Sequence, residues 1–314
     1  MKTIIINDRD SVMKDLHGSL WNEYRRLWRE AGSGKKVTDF PLHLDFDTAD
    51  ACNYKCAVCN EGDRKRTKCV MTTALFKQVM DECSRLGVFS INIGNIGEPF
   101  LYPDNLIEFI KIARNSGIID VFVHTNGALV TSDVAERLVG SGISVICFSI
   151  DASTKETYEK IRGGDYDAVI KNINRLIEIK KVRGSKLPFV RVSMVPCELN
   201  RDEIDTFIEY WKTRADVIDI QSYVDVGFGK NILKDKKKNC LMPFQRMMIW
   251  PDGRIGACCL GKSLGTDLLI GKFPEISIVQ AWNNEKIENL RRSMIEFNLK
   301  EFPSCEQCIA ATYV

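Results

Sequence analysis

No stretch of this 314-residue chain approaches the roughly 20 consecutive apolar residues that a membrane-spanning helix requires. Nor does the polar start, Met1 to Lys14, offer the basic head and apolar core of a secretory signal. These two absences predict a cytoplasmic protein. Charge of one sign is lacking as well, since 44 basic residues against 42 acidic ones leave a formal net charge of +2. So even a balance does not carry the basic footprint of a nucleic-acid or membrane-surface binder. Cysteine, by contrast, is plentiful, with 12 in the chain. Without an export signal these are not expected to form a disulfide framework, because the cytosol keeps thiols reduced. Metal ligation is the better reading for those in spaced groups: Cys52, Cys56 and Cys59, then Cys240 and Cys258, then Cys305 and Cys308. Cys83, Cys147 and Cys197 stand singly among apolar neighbours, where a thiol serves as a small hydrophobe.

The first group, C-N-Y-K-C-A-V-C from Cys52 to Cys59, follows directly on Leu42-His43-Leu44-Asp45-Phe46-Asp47, whose period-two alternation predicts a strand. A tetrahedral zinc site takes four ligands, and a cubane held wholly by protein takes four thiolates, so a compact three-thiolate group leaves one metal position open. The competing reading is a zinc knuckle with Cys69 as the fourth ligand, or a surface thiol cluster.

From residue 42 the chain alternates short β-branched runs with helical stretches, which predicts repeated βα units and a parallel sheet. Strands are expected near 42–47, 90–94, 119–124, 145–150, 189–195 and 217–224, and helices near 73–86, 103–116, 131–140, 166–182 and 201–213. In such architectures ligands sit at the carboxyl ends of the strands. The second predicted strand is followed by Asn95-Ile96-Gly97-Glu98-Pro99, and the third ends in His124-Thr125-Asn126-Gly127. The fourth ends in Ser149-Ile150-Asp151-Ala152, where Ser149 and Asp151 alternate with apolar residues and are expected to face the interior. A charge there is costly without a partner.

Residues 1–40 read as an amphipathic helical extension, with Val12, Leu16, Leu20, Trp21, Tyr24, Leu27 and Trp28 at helical spacing between a Ser11 cap and the Gly32-Ser33-Gly34 break. It is expected to pack on the outside of the main domain, the alternative being a docking segment. Residues 41–225 make the main α/β domain, and a Gly- and Lys-rich connection leads into a unit over 226–314. That unit opens with Cys240 and a hairpin turning at Pro251-Asp252-Gly253. Cys258 and Cys259 follow the hairpin. A helical stretch from Ser277 to Glu296, apolar at Ile278, Ala281, Trp282, Ile287, Leu290 and Met294, leads to Cys305-Glu306-Gln307-Cys308.

The C-x3-C-x2-C group after a strand resembles the radical S-adenosylmethionine enzymes. The resemblance covers residues 42–309 and implies a partial (β/α)6 barrel, open rather than closed. It implies that Cys52, Cys56 and Cys59 hold a [4Fe-4S] cluster whose fourth iron chelates S-adenosylmethionine, which one electron splits to a 5′-deoxyadenosyl radical. Val58 stands where relatives usually carry an aromatic residue. Gly97, Glu98 and Pro99 match the family's G-G-E-P element, with Ile96 for its first glycine, and so are expected near the methionine amino group. Thr125 and Asn126 are expected near the ribose, and Ser149 and Asp151 on cofactor hydroxyl and ammonium groups. Lys160-Ile161-Arg162-Gly163-Gly164 matches a basic loop whose arginine fork suits the methionine carboxylate. Arg162 is equally compatible with a solvent-exposed position.

The C-terminal unit resembles the auxiliary-cluster domain called SPASM, or twitch when it holds one cluster. Cys240, Cys258, Cys305 and Cys308 would complete one auxiliary [4Fe-4S] cluster, with Cys258 preferred to Cys259 by its spacing from Gly253. A structural zinc site would use the same four thiolates. The cysteine spacing is that of the single-auxiliary-cluster dehydrogenase type, so the expected reaction is oxidation or another C–H modification of a sugar, cyclitol or nucleotide-sugar. The alternative is epimerisation or cross-linking of a ribosomally made peptide, which often brings a winged-helix leader-binding domain for which residues 1–40 are short. A flavodoxin- or ferredoxin-type reductant is the implied partner. An iron–sulfur electron carrier is the reading from another class. Cys197 is a candidate to return a hydrogen atom, against a buried structural thiol. Glu198 and Asp225, at the ends of the fifth and sixth predicted strands, are candidates for proton acceptance or substrate binding.

Overall fold

The computed structural model describes residues 2–59, 65–221, 240–258 and 266–308. Among them run ten strands: β1 (Lys2–Ile5), β2 (His43–Phe46), β3 (Ser90–Ile93), β4 (Asp120–Thr125), β5 (Val145–Ser149), β6 (Phe189–Met194), β7 (Val217–Ile220), β8 (Arg246–Ile249), β9 (Arg254–Gly256) and β10 (Leu269–Lys272). They form one open sheet in the order β1-β7-β6-β5-β4-β3-β2-β8-β9-β10. Strands β2 to β7 run parallel to one another. The helices that return the chain between them are α3 (Thr73–Leu86), α4 (Pro103–Asn115), α5 (Ser132–Leu138), α6 (Lys155–Arg162), α7 (Tyr166–Val182) and α8 (Ile204–Trp211). Their starts are written in the sequence: Thr72, Thr131, Thr154 and Asp165 each accept a hydrogen bond from a backbone N–H of the first turn.

Strand alternation divides the sheet into two unlike faces. Leu44, Phe46, Ile91, Ile93, Val121, Val123, Ile146 and Phe148 all lie in the main apolar core with residues of the helices. The alternate positions carry His43, Asp45, Ser90, Asn92, Asp120 and His124, all but the last fully buried. A run such as His43-Leu44-Asp45-Phe46 thus builds a hydrophobic wall on one side and a polar one on the other.

The N-terminal segment departs from a single outer helix. It begins as β1, antiparallel to β7, and continues as α1 (Arg9–His17) and α2 (Ser19–Ala31), broken at Gly18, whose φ of 56° lies in the left-handed region. Asp8, not Ser11, caps α1 by accepting from the Ser11 N–H. Met13, Trp21 and Tyr24 are buried with Leu42, Phe89 and Ile119, against the amino-terminal ends of β2 to β4. Arg9 pairs with Asp120 and lies over the Trp21 and Phe122 rings, and Asn7 Nδ2 donates to Asp216 just before β7. The segment therefore closes the end of the sheet away from the cysteine loop.

The expected hairpin is present as β8 and β9, with Gly253 at φ 85° in its turn. Its first strand, however, runs parallel to β2 and is bonded to it, so the C-terminal unit continues the main sheet. The expected helix over 277–296 is two, α10 (Ile278–Trp282) and α11 (Glu285–Glu296), because Asn284 caps a new start. All six apolar positions expected to pack are buried. A short α9 (Met242–Gln245) precedes β8, and α12 (Pro303–Gln307) ends the described chain. No helix among the described residues is long and apolar enough to cross a membrane.

Candidate functional site

The loop after β2 carries Cys52, Cys56 and Cys59 to the carboxyl end of the sheet, where several neighbouring loops grip it. Cys52 Sγ accepts from the Tyr54 N–H at 3.4 Å. The Ala57 N–H bonds the carbonyl of Ile161 at 2.8 Å. Asn126 Nδ2 donates to Asn53 Oδ1 at 2.9 Å, and Glu98 N donates to the carbonyl of Ala51 at 2.8 Å. Gly97 explains why no larger residue would serve: an added Cβ would stand 1.8 Å from the carbonyl oxygen of Ala49. Its N–H is spent on Asp47 Oδ1.

Glu98 is buried, and its carboxylate accepts from Thr125 Oγ1, the Asn126 N–H and the Phe100 N–H, at 2.9, 2.8 and 3.0 Å. It ties the loops after β3 and β4 together. Burial pushes its pKa up to about 7, against the lowering effect of these three donors.

Asp151 adopts φ 63° at the end of β5. One carboxylate oxygen accepts from the Val195 N–H at 2.8 Å and the other meets Arg162 at 2.6 Å. The expected interior charge therefore finds a partner within the protein. Lys160 to Arg162 form the last turn of α6 rather than a loop, ended by Gly163 in the left-handed region. Arg162 is largely buried, its Nη1 lies 3.6 Å from Cys56 Sγ, and its Nε is buried with no hydrogen-bond partner. Gly164 is as constrained as Gly97, since a Cβ there would stand 2.0 Å from the Tyr54 ring. Ser149 is half-buried beside Ser193 in the β5–β6 register.

Burial raises the pKa of Cys52 and of Cys56. Among the described residues no group of three or more His, Cys, Asp or Glu side chains closes on a single ion. The donor chemistry, three thiols on one loop with a buried guanidinium against one sulfur and an unsatisfied donor beside it, suits an anionic iron–sulfur cluster.

In the C-terminal unit, Cys240, Cys258 and Cys305 pack beside the main core. Burial, then the neighbouring Cys240, Cys308 and Asp267, drive the Cys305 pKa far upward, which places three thiols from two distant segments close together. Asp267 anchors α12 by accepting from the Ser304 N–H at 2.9 Å and from its hydroxyl. Cys259 and Asp225 lie outside the described residues. Cys197 is half-buried, with its N–H on Asn200 Oδ1 at 2.6 Å, and Glu198 is exposed.

Sequence reasoning passed over the polar face of the sheet. Asp45 Oδ1 accepts from Asn92 Nδ2 at 3.0 Å and Asn95 Nδ2 at 3.3 Å, and Arg246 Nη1 lies 3.4 Å from Oδ2. Burial would raise the Asp45 pKa, but Arg246, His43 and Asn92 hold it well below the usual carboxylate range. The signal was available in His43-x-Asp45 and Ser90-x-Asn92, polar residues at every second position of strands whose other positions are apolar.

Residues 47–210 match the model of the radical SAM superfamily, and residues 240–309 match that of an iron–sulfur cluster-binding domain, SPASM. The chain is 30% identical over 172 residues, 54% of its length, to the mycofactocin maturase MftC of Mycobacterium tuberculosis. It covers 41% of that relative, well under its full length. In fold it is similar to BtrN, solved with AdoMet and 2-DOIA, at a TM-score of 0.60 and 18% identity, over 86% of this chain and 93% of that one. It is also similar to Streptococcus suis SuiB, solved with its precursor peptide SuiA, at a TM-score of 0.62 and 14% identity, over 86% of this chain and 71% of that one.

Proposed function

The chain belongs to the radical SAM superfamily, and on that premise we propose that it modifies a ribosomally made peptide by radical chemistry at an unactivated C–H bond. As a member it uses S-adenosylmethionine and two [4Fe-4S] clusters, one in each matched domain. The cofactors supply a 5′-deoxyadenosyl radical, and the protein supplies binding, orientation and exclusion of water.

In this reading Cys52, Cys56 and Cys59 hold the first cluster, and Arg162 neutralises charge beside Cys56. The backbone at Gly97 to Pro99 receives the methionine amino group, with Glu98 fixing that loop against Thr125 and Asn126 near the ribose. Ser149 lies along the same wall. Asp151 acts by orienting Arg162. Cys240, Cys258, Cys305 and Cys308 hold the auxiliary cluster, and a small flavodoxin- or ferredoxin-type protein supplies electrons.

The supporting observation is that a relative in sequence bears the name of a maturase, that of mycofactocin. Likeness in fold to a chain solved with a precursor peptide agrees with it. Oxidation of a sugar, cyclitol or nucleotide-sugar is the second reading, favoured by the fold match over 93% of BtrN.

The test is anaerobic reconstitution with S-adenosylmethionine and dithionite, measuring 5′-deoxyadenosine and the mass of short peptides encoded beside the gene. We expect 5′-deoxyadenosine and a peptide whose mass changes by loss or exchange of hydrogen. A turnover of cyclitols but not peptides would establish the second reading. Complete absence of 5′-deoxyadenosine from samples with verified clusters would leave an electron carrier.

A further inference from the structure

The polar face of the sheet holds two histidines in one hydrogen-bonded chain, and the neighbours of His124 place a proton on its Nδ1. Asp45 is a buried carboxylate that only accepts. Asn92 turns its amide nitrogen to Asp45 Oδ1 at 3.0 Å and to Asn95 Oδ1 at 2.9 Å. A reversed amide would set its oxygen against two acceptors, so the Asn92 carbonyl must face the other way. There it meets His124 Nδ1 at 2.7 Å. A carbonyl oxygen only accepts, so Nδ1 carries the proton and Nε2 carries the lone pair. Among the described residues no protein group bonds that Nε2, and the ring is half-buried at the carboxyl end of β4, immediately before Thr125.

At His43, Nε2 lies 3.3 Å from Asp45 Oδ1 and must donate, while Nδ1 faces Ser90 Oγ at 2.7 Å, a hydroxyl that can donate or accept and that in turn meets the Tyr24 hydroxyl at 2.9 Å.

We propose that His124 offers its Nε2 lone pair to an N–H or O–H donor of the substrate, with Asn92 and Asp45 as the positioning residues that lock its tautomer. The proposal deepens the reading of a radical enzyme acting on a peptide, for which a backbone amide N–H is the natural donor. An acceptor of this kind must remain neutral, and its surroundings keep it so. Burial first, then Arg191 from β6 and Arg246 from β8, hold the His124 pKa down to about 4, against the raising effect of Asp45. Deprotonated above that value, the ring keeps one acceptor across the whole physiological range. A substrate bearing a tertiary amide or an ether at this point would leave the lone pair unmatched, which is how a buried acceptor discriminates.

The chain has three histidines, so nitrogen-15 labelling of histidine in the reconstituted holoenzyme resolves each ring. We expect His124 as the Nδ1–H tautomer, uncharged from pH 8 to pH 5. Asn92→Leu should release the lock, raising the Nε2–H population of His124. N-methylacetamide, used as an amide donor probe, should shift the Nε2 resonance, and N,N-dimethylacetamide, which lacks the N–H, should not. An Nε2–H tautomer, titration near the ordinary histidine value of about 6.5, or equal response to both amides would overturn the proposal. Failure to form 5′-deoxyadenosine in the wild-type protein would instead sink the enzymatic reading, and the two results are read from separate measurements.

Discussion

The two cysteine sites are built in opposite ways. The first occupies eight consecutive residues, and nearly everything that shapes it comes from elsewhere: Ala49 against Gly97, Asn126 on Asn53, Arg162 on Cys56. The second, as proposed, is drawn from positions 240, 258, 305 and 308, with Asp267 on Ser304 bracing the last helix. A site whose ligands are contiguous can form early and be tuned by its surroundings. A site gathered from the two ends of a unit exists only when that unit is folded.

The comparison breaks most sharply if the ligands are removed one site at a time. Cys56→Ala should drive 5′-deoxyadenosine below detection and remove the iron of the first site while the absorption of the second remains. Cys305→Ala should do the reverse to the iron, and iron analysis with electron paramagnetic resonance checks both. Gly97→Ala comes next. Its new methyl group meets a backbone carbonyl rather than a yielding side chain, so the cysteine loop must move, and S-adenosylmethionine affinity measured by titration should fall by at least an order of magnitude.

Asp151→Asn leaves Arg162 buried without its carboxylate. Breaking a buried pair in this way costs roughly 3–5 kcal/mol, seen as a lower midpoint in denaturant. The smallest effect concerns Glu98. Its folded pKa of about 7 lies above its unfolded value, so the folded state binds the extra proton between the two. Its contribution is full below the unfolded pKa, near 4.5, and is lost as pH rises through 7, a change of at most about 3 kcal/mol. Glu98→Gln should flatten that part of the stability profile.

Much of this was legible in the chain itself. Each strand from β2 to β7 falls within its expected run, except that β4 extends one residue beyond 119–124 to Thr125, because β-branched alternation and threonine or aspartate caps are local signals. The positions of Cys52, Gly97, Thr125 and Asp151 at strand ends followed from the same pattern. The misses have physical causes as well. β1 is four residues long and exists because β7 offers it an edge, and α6 was hidden because its last turn, Lys160 to Arg162, reads as a basic loop. The lock on His124 depends on which way an amide faces across neighbouring strands, and that is a property of packing that no spacing records. The partner of Asp151 lay eleven residues downstream, beyond what strand periodicity can indicate.

The bonding of β8 to β2 carries a mechanical consequence. Cutting the chain before residue 240 would strip the backbone of His43 to Phe46 of its neighbour on that side, leaving a raw edge of unpaired N–H and C=O groups of the type that recruits other chains into aggregates. The auxiliary unit is thus a selvedge for the sheet as well as a holder of iron, and the strand that leads into the radical-generating loop would fray without it.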